Sequence, residues 1–421
     1  MTDRTSTGAN APRIDGDRLW ARHMEMAAIG RIEETGNCRL SLSTEDGQAR
    51  DLFATWCREA GLELRCDRAG NMFALRPGRD PSRAYVAAGS HLDTQPHGGR
   101  FDGVSGVLTA FEVIEALNDA GIETEAPLAV VNWTNEEGVR FGPGLLGSAW
   151  FSGQIADEKL DDLRAMDDGA RFADEAARIG WRGAARPEDL PMEAFFELHI
   201  EQGPVLEQAG AQIGVVTSIQ GLRWLDVSVT GMDAHAGTTP LAARRDSLLA
   251  SAAMLVALNR VGRACGEAAR VSVGTLKPAT EGPSTVAGHT GFIVDIRHPD
   301  AAVLERLTAD CAQACRDTAA DYGCMVEVSQ RVAVPPRDLD PGCVAAMERA
   351  AQDLGLGYMK LPSGALHDAA NLAAVTPTAM IFVPCRDGIS HNVTEYASPA
   401  DLTAGAAVLM QAMLERAGIA G

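Results

Sequence analysis

Short apolar runs alternate with segments of helical length, and this alternation constrains the fold more than any other feature. Residues 85–90 (YVAAGS) and 128–133 (LAVVNW) are predicted to be buried strands, and residues 104–118 between them a helix. A strand that is apolar on both faces must be covered on both, and a helical crossover joins parallel strands. The sequence therefore predicts an α/β fold, with a mostly parallel sheet flanked by helices and ligands bound at the carboxyl ends of its strands.

The pattern changes after about residue 214. Three strands and two long helices are predicted there, at residues 224–230, 246–259, 291–297, 301–320 and 325–332. Two helices beside a few alternating strands indicate a small α+β domain of the ferredoxin-like kind. The alternation of apolar runs with helical segments resumes after this region. We therefore expect residues 16–214 and 333–421 to form one discontinuous domain that carries residues 215–332 as an insertion.

Charge and apolar length argue against two classes of partner. The 37 Lys and Arg residues against 57 Asp and Glu leave a net charge of −20, whereas nucleic acids and anionic membranes attract clustered basic residues. The most apolar helical stretch, residues 248–258, is interrupted by Ser251 and is shorter than the roughly 20 residues that cross a bilayer. We therefore expect no nucleic-acid partner and no membrane span.

The terminus and the cysteines indicate the compartment. Residues 1–15 lack the apolar core of a secretory signal and are expected to be a disordered terminus. The nine cysteines are odd in number, scattered and without a C-x-x-C pair, as is typical of thiols in a reducing cytoplasm. The sequence therefore predicts a cytoplasmic protein.

The first predicted strand ends in potential metal ligands. His91 and Asp93 follow it two residues apart, so their side chains point to the same side. A metal-bound imidazole needs an acceptor for its second nitrogen, and Asp93 is well placed to supply one. Asp102 follows in a glycine-lined turn directly before the predicted helix.

Two adjacent carboxylates, Glu136 and Glu137, end the second predicted strand. Side by side and buried they would repel each other, and a dication relieves that repulsion if one glutamate binds it while the other stays free to move protons. Spacing alone does not assign the two roles. His199 and His391 follow two further strands, and histidines with carboxylates suit zinc or a similar metal.

Each of these signals has an ordinary structural explanation. A lone histidine at a strand end is more often a satisfied polar residue than a ligand, and paired glutamates are usually solvated surface. Their coincidence on successive strand ends of one sheet favours a metal site, and one carboxylate bridging two ions would make it a two-metal site.

Six segments also match a known family, in the order that the family has them: GSHLDTQPHGGRFDG, NEEGVRFGPGLLGS, ELHIEQG, GMDAHAGTTPLAARRD, DIRH and GISHN. They resemble the M20-type metal-dependent amidohydrolases, in the branch of N-carbamoyl-L-amino-acid hydrolases, allantoate amidohydrolases and β-ureidopropionases. The resemblance runs from about residue 20 to residue 415. It implies the catalytic domain of the dinuclear-metal exopeptidases and an inserted lid and dimerisation domain.

The resemblance implies a role for each residue of the metal site. Five residues would hold two divalent ions, with Asp102 bridging them: His91, Asp102 and His199 on one, and Asp102, Glu137 and His391 on the other. Glu136 would be the general base. His235 would reach across a homodimer interface into the partner's site, and Asp93 would support the ligands from behind. Zinc is the expected metal, with manganese, cobalt and nickel as alternatives.

The resemblance also implies a pocket for a small carboxylate substrate. Arg297 would clamp the carboxylate, and Gln202, Ser363 and Gly364 would line the pocket. Ser284 stands where the family usually has Asn, 13 residues before Arg297, so the substrate is less certain than the reaction. The neighbouring pair His367 and Asp368 is expected either to support the metal ligands or to serve the fold alone.

The predicted reaction is hydrolysis of the carbamoyl C–N bond of an N-carbamoyl-L-amino acid, giving the L-amino acid, ammonia and carbon dioxide. Allantoate amidohydrolase or β-ureidopropionase activity is the alternative, and an aminoacylase or peptidase activity is less favoured. A non-catalytic binding protein is the least favoured, because such proteins usually lose a ligand or the base.

Overall fold

The computed structural model describes residues 12–280 and 282–421. The chain forms two compact units: one comprises the residues up to Thr217 together with Asp338–Gly421, and the other is Ser218–Arg337. Of the predicted disordered terminus, residues 1–11 lie outside the described residues. Asp15 caps the first helix by accepting a hydrogen bond from the Arg18 amide at 3.0 Å, so helical order begins there.

The described residues contain seventeen strands and twelve α-helices. In chain order the strands are β1 Arg31–Ile32, β2 Gly36–Asn37, β3 Glu63–Cys66, β4 Met72–Arg76, β5 Tyr85–His91, β6 Leu128–Trp133, β7 Met192–Ile200, β8 Ile213–Ile219, β9 Gly221–Thr230, β10 Ala234–His235, β11 Arg270–Pro278, β12 Thr285–Val286, β13 His289–His298, β14 Met325–Val334, β15 Arg337–Asp338, β16 Tyr358–Ser363 and β17 Thr378–Val383. The helices are α1 Gly16–Ala28, α2 Thr44–Glu59, α3 Val104–Asp119, α4 Leu146–Phe151, α5 Asp157–Asp162, α6 Phe172–Arg178, α7 Val205–Ala209, α8 Ser247–Cys265, α9 Ala301–Asp321, α10 Pro341–Asp353, α11 Asp368–Leu372 and α12 Pro399–Ala417.

The larger unit is built on a nine-stranded sheet with the order β15-β8-β17-β7-β5-β6-β4-β3, to which β16 adds beside β8. The four central strands, β17, β7, β5 and β6, run parallel, whereas β3, β4 and β8 pair antiparallel at the sides. β6 is buried along its whole length, and β5 from its second residue on. The predicted mostly parallel α/β sheet is therefore confirmed.

Helix α3 covers the middle of this sheet. It packs on β5, β6 and β7 and is itself covered by α1 and α12, so nearly all of its residues are buried. A helix that is apolar all round belongs inside a protein rather than on its surface. Because α3 begins at Val104, its packing fixes the turn that carries Asp102 at the carboxyl ends of the central strands.

The smaller unit has a four-stranded antiparallel sheet with the order β11-β13-β9-β14, covered by α8 and α9. Alternate residues of β9 and β13 point into its core, as a half-buried strand requires. The core residues from these two strands are Leu225, Val227, Val229, Phe292, Val294 and Ile296, and they pack against apolar residues of α8 and α9.

Helix α8 is longer than the predicted 246–259, because it continues through Arg263 to Cys265 and stops before Gly266. Asp246 caps it, accepting hydrogen bonds from the amides of Leu248 and Leu249. By length and composition alone α8 is long and apolar enough to cross a membrane. One face of it nevertheless belongs to the core of the smaller unit.

Candidate metal centre

Three parallel strands deliver polar side chains to one edge of the larger sheet. His91 is the last residue of β5 and is paired with Trp133, the last residue of β6. His199 lies near the end of β7, opposite Phe382 of β17. Because the carboxyl ends of parallel strands meet at the same edge, the residues that follow them converge there.

Asp102 lies at the centre of this edge, with one histidine against each of its carboxylate oxygens. Its Oδ1 is 3.0 Å from His199 Nε2, and its Oδ2 is 3.2 Å from His391 Nε2. His91 Nε2 is 4.0 Å from Oδ1. Asp102 thus belongs to two groups whose possible ligand atoms lie within 4.8 Å of one another: His91, Asp102 and His199, and Asp102, Glu137 and His391.

Backbone carbonyls orient two of the imidazoles. The Nδ1 of His91 is 2.9 Å from the carbonyl oxygen of Asp93, and the Nδ1 of His199 is 2.9 Å from that of Ile200. Since a carbonyl can only accept, each Nδ1 carries a proton, and Nε2 is the ring nitrogen that faces the cluster. The acceptor for His91 is therefore not the carboxylate that the sequence predicted, because the Asp93 carbonyl is nearer.

The Asp93 carboxylate holds the neighbouring loop instead. It accepts hydrogen bonds from the amides of Glu136 and Glu137, both at 3.3 Å. The preceding residue, Asn135, has a φ of +60°, which is uncommon for a residue with a side chain and turns the chain sharply after β6. Asp93 thus contacts His91 through its backbone carbonyl and the two glutamates through its carboxylate.

The two glutamates have different surroundings. Glu137 accepts a hydrogen bond from Gln95 Nε2 at 2.6 Å and lies 3.6 Å from His391 Nε2, whereas its Oε1 is buried without a hydrogen-bond partner among the described residues. Glu136 Oε2 is 3.5 Å from His91 Nε2. An orphaned buried carboxylate oxygen in a histidine-lined cluster fits the ligand of a cation.

The protonation balance also fits a cation. Burial, followed by the charge of Asp102, raises the pKa of Glu137 to about 8, and burial together with Glu137 raises the pKa of Glu136 well above its usual range. Burial opposes the charged form of Asp102, yet hydrogen bonds with His199 and His391 hold its pKa well below the ordinary value. The ionised forms of Glu136 and Glu137 thus lack compensating positive charge from the described residues, and dications would supply it.

A third group, Glu197, His199 and His367, has ligand atoms equally close together, but its hydrogen bonds indicate a supporting role. Glu197 accepts from Ser90 Oγ at 2.7 Å and from the Ala369 amide at 3.0 Å, so both of its oxygens are engaged. The His367 ring lies 4.4 Å from that of His199. Glu197 and His367 therefore lie beside the candidate ligand His199 as supporting residues.

The predicted pocket residues of the larger unit are mostly engaged with protein. Gln202 donates to Asp102 Oδ2 at 2.9 Å. Ser363 is fully buried, and its hydroxyl contacts His367 Nε2 at 2.9 Å and Ala365. Gly364 follows it on the same loop. Substrate contact by these three residues stays a prediction.

The other predicted residues belong to the smaller unit. His235 is exposed, and the Ser284 carbonyl accepts a hydrogen bond from the Ala236 amide at 2.8 Å, which holds the two segments together. Arg297 forms a bidentate pair with Asp295, with both contacts at 2.9 Å.

Sequence reasoning missed Glu395, which is 2% exposed and accepts hydrogen bonds from the amides of Phe101 and Asp102. It also missed Gln95, the partner of Glu137. Glu395 lies almost 300 positions from the amides that it binds, so no local pattern could have indicated the contact.

Comparison with known proteins identifies relatives over nearly the whole chain. The profile of Peptidase family M20/M25/M40 matches residues 87–415. An N-carbamoyl-L-amino-acid amidohydrolase of Rhizobium meliloti is 44% identical over 411 residues, which are 97% of this chain and 98% of that protein. A ureidoglycolate hydrolase of Oryza sativa subsp. japonica is 33% identical, covering 97% of this chain and 86% of its own.

Solved structures agree with the sequence matches. A crystal structure of an amidase of the hydantoinase/carbamoylase family from Burkholderia multivorans has a TM-score of 0.91 at 45% identity, covering 96% of this chain and 98% of that one. The similarity extends over both units of the chain.

A glycine beside His91 provides a test of the cluster. Gly103 has a φ of +66°, and a Cβ built there would lie 2.2 Å from the His91 ring. We expect Gly103→Ala to displace His91 and to lower the metal content of the purified protein, measured by elemental mass spectrometry after dialysis.

Gly121 is the matched control, since its φ is +63° but a Cβ there would meet nothing within 4 Å. Both substitutions should destabilise the fold by about 1–3 kcal/mol through backbone strain, as thermal unfolding would report. A Gly103→Ala protein that retains the metal content of Gly121→Ala would contradict this arrangement.

Proposed function

The chain belongs to the M20/M25/M40 peptidase family, and on that premise we propose that it hydrolyses the carbamoyl C–N bond of an N-carbamoyl-L-amino acid. The reaction consumes one water and releases the L-amino acid, ammonia and carbon dioxide. The observation that carries the proposal is Asp102, with His199 at 3.0 Å from one oxygen and His391 at 3.2 Å from the other. That geometry suits a carboxylate shared by two ions.

Two divalent metal ions are the proposed cofactors. His91, Asp102 and His199 would hold one, and Asp102, Glu137 and His391 the other; histidine and carboxylate ligands favour zinc and also admit manganese, cobalt or nickel. When bound, such ions act as Lewis acids on the scissile carbonyl and make water easier to deprotonate. The Nδ1 contacts of His91 and His199 with backbone carbonyls keep both rings in the ligating tautomer.

Glu136 is the proposed general base. Burial and Glu137 raise its pKa well above the usual range, and a carboxylate with a raised pKa holds a proton that it has accepted more firmly than an ordinary one. It would take the proton of the attacking water and deliver it to the leaving nitrogen. Asp93 supports this role, because its carboxylate holds the amides of Glu136 and Glu137.

His235 is the proposed donor to the oxyanion. Its Nδ1 accepts hydrogen bonds from the amides of Gly237 and Thr238, both at 3.1 Å, so its proton lies on Nε2. A preorganised N–H aimed at developing negative charge is worth about 2.7–4 kcal/mol in other enzymes. We propose that it acts in the active site of a partner subunit.

Exposed apolar residues of the smaller unit support a homodimer formed through it. Leu241 is 81% exposed and Met325 71%, and Leu249 and Val256 lie exposed on one helix. Leu249 and Val256 are seven residues apart on α8 and so lie on the same face of that helix, and exposed apolar side chains that share a face mark association surfaces. The nine cysteines are free thiols, which supports a cytoplasmic location.

Arg297 and Ser284 are proposed to recognise the substrate carboxylate. Asp295 holds the Arg297 guanidinium through two contacts of 2.9 Å and is itself held by Trp224 Nε1 at 3.0 Å. A fork fixed in this way loses little conformational entropy when it binds a carboxylate.

Ureidoglycolate hydrolysis is the second candidate, because relatives that carry that name are 32–33% identical to this chain. We would compare kcat/KM for ammonia release from N-carbamoyl-L-amino acids, N-carbamoyl-β-alanine, allantoate and ureidoglycolate. Release of the free amino acid would report hydrolysis of N-acetyl amino acids, and together these measurements separate the candidates. A higher kcat/KM for ureidoglycolate than for every N-carbamoyl-L-amino acid would overturn the first proposal.

Removing the base should separate metal binding from turnover. We expect Glu136→Gln to keep its metal content while kcat falls by about 10²- to 10⁴-fold, the usual contribution of general acid–base catalysis. Glu123→Gln, at an exposed position of the same unit, is the control and should keep wild-type kcat. Near-normal turnover by Glu136→Gln would exclude Glu136 as the base.

Mixing two inactive variants tests the role of His235 across subunits. If His235 acts in the partner's site, a mixed dimer of Glu136→Gln and His235→Ala has one complete site. Random mixing of refolded chains should then restore about a quarter of wild-type activity. A mixture no more active than its components would mean that His235 serves its own subunit.

Arginine-to-lysine exchange tests the carboxylate clamp. Arg297→Lys loses bidentate contact with a carboxylate and should raise KM for the substrate by about tenfold, the equivalent of one charged hydrogen bond. Arg331→Lys is the control, because Arg331 pairs with Asp226 in the same unit. An unchanged KM in Arg297→Lys would remove Arg297 from substrate binding.

A further inference from the structure

One buried carboxylate holds two of the loops that form the cluster. Glu395 Oε1 accepts hydrogen bonds from the amides of Phe101 and Asp102, both at 3.0 Å, and its Oε2 accepts one from Ser390 Oγ at 2.9 Å. The contact with the first loop is close, since a Cβ on Gly99 would lie 2.3 Å from Glu395 Oε1. A side chain at position 99 is therefore incompatible with this carboxylate position.

Every one of these partners is a metal-ligand candidate or lies within one residue of one. Phe101 precedes Asp102, and Ser390 precedes His391. His391 has a φ of +54°, a conformation that residues with a side chain adopt only when the surroundings enforce it.

A third loop closes the network. Gln202 Nε2 donates to Ser390 Oγ at 3.1 Å and to Asp102 Oδ2 at 2.9 Å. Gln202 also has a φ of +57° and lies three residues after His199. The loops that carry Asp102, His199 and His391 are thus joined to one another through side chains that are not themselves in the candidate ligand set.

We infer that Glu395 is a positioning residue that sets the distance between Asp102 and His391 and thereby the affinity of the ion that these two residues share. The inference rests on the proposed two-metal site but not on its substrate. Asp102 comes from the chain before the smaller unit and His391 from the chain after it. Because the covalent chain alone does not fix the distance between Asp102 and His391, a hydrogen-bond network must fix it.

The chemistry of Glu395→Gln separates this role from general support of the fold. Glutamine keeps an oxygen that can accept from both amides, but its nitrogen cannot accept the Ser390 proton. The variant therefore keeps the hold on the Asp102 loop but loses the charged acceptor of the Ser390 hydroxyl, which leaves only a weaker neutral contact with the His391 loop. Only the ion that needs His391 should be affected.

The experiment is a Zn²⁺ titration of the metal-free full-length protein in competition with a chromophoric chelator. Wild type should bind two Zn²⁺ per chain. In Glu395→Gln we expect one of the two to bind about 10- to 100-fold more weakly, the usual effect of losing a residue that supports a metal ligand. The catalytic activity that Glu395→Gln loses should return at high Zn²⁺ concentration. Activity lost through a defect in the fold would not return.

Glu112→Gln is the matched control. Glu112 is also a buried glutamate of the larger unit, and it accepts hydrogen bonds from the Asp15 amide and from Arg18. Its substitution should lower the unfolding temperature and leave both Zn²⁺ affinities unchanged.

The outcomes are distinct. Equal Zn²⁺ affinities in wild type and Glu395→Gln, or equal losses in Glu395→Gln and Glu112→Gln, would overturn the inference. If Glu395→Gln does not fold, Ser390→Ala removes the same link and should weaken one Zn²⁺; two unchanged affinities there would also overturn it. A wild type that binds no Zn²⁺ or only one, with no other divalent ion restoring two, would instead overturn the proposed two-metal site.

Discussion

The site depends on Asp102, whose two oxygens face histidines from distant parts of the chain. This contact requires the parallel strands β5 and β7 to end at one edge, α3 to begin directly after Asp102, and the loop after β17 to return to the same place. A carboxylate with a histidine against each oxygen has little freedom to move. The central sheet, its covering helices and the closing loops therefore together keep Asp102 within hydrogen-bond distance of His199 and His391.

Burial and charge oppose each other at this edge. Asp93, Asp102 and Glu395 are at most 5% exposed, and ionised carboxylates in such places are unfavourable unless they are bonded or neutralised. Backbone amides satisfy Asp93 and Glu395, whereas Glu137 keeps an orphaned oxygen. The protein thus satisfies the carboxylates that hold loops and leaves a polar atom open on one that faces the centre of the cluster.

Much of the fold followed from sequence because its signals are local. The apolar runs of β5 and β6 and the long α3 were predicted within a residue or two, and period two placed His91 at a strand end. Contacts between distant segments leave no local pattern in the sequence. The acceptor for His91 is a carbonyl, which every residue has, and Glu395 meets Asp102 only through folding. The end of α8 was missed because the helix continues through Gly262 and stops only before Gly266. Gly262 packs closely on Val271, a contact with another element that the local sequence does not reveal.

The position of β17 has a consequence for synthesis on the ribosome. It lies between β7 and β8 in the sheet, although the whole smaller unit separates it from them in sequence. Until it emerges, β7 has an unpaired apolar edge, the kind of surface that invites wrong pairing. The smaller unit is continuous in the chain and can fold first. We expect chaperones to bind nascent chains that stop before residue 378. The chaperones should be released once β17 has completed the sheet.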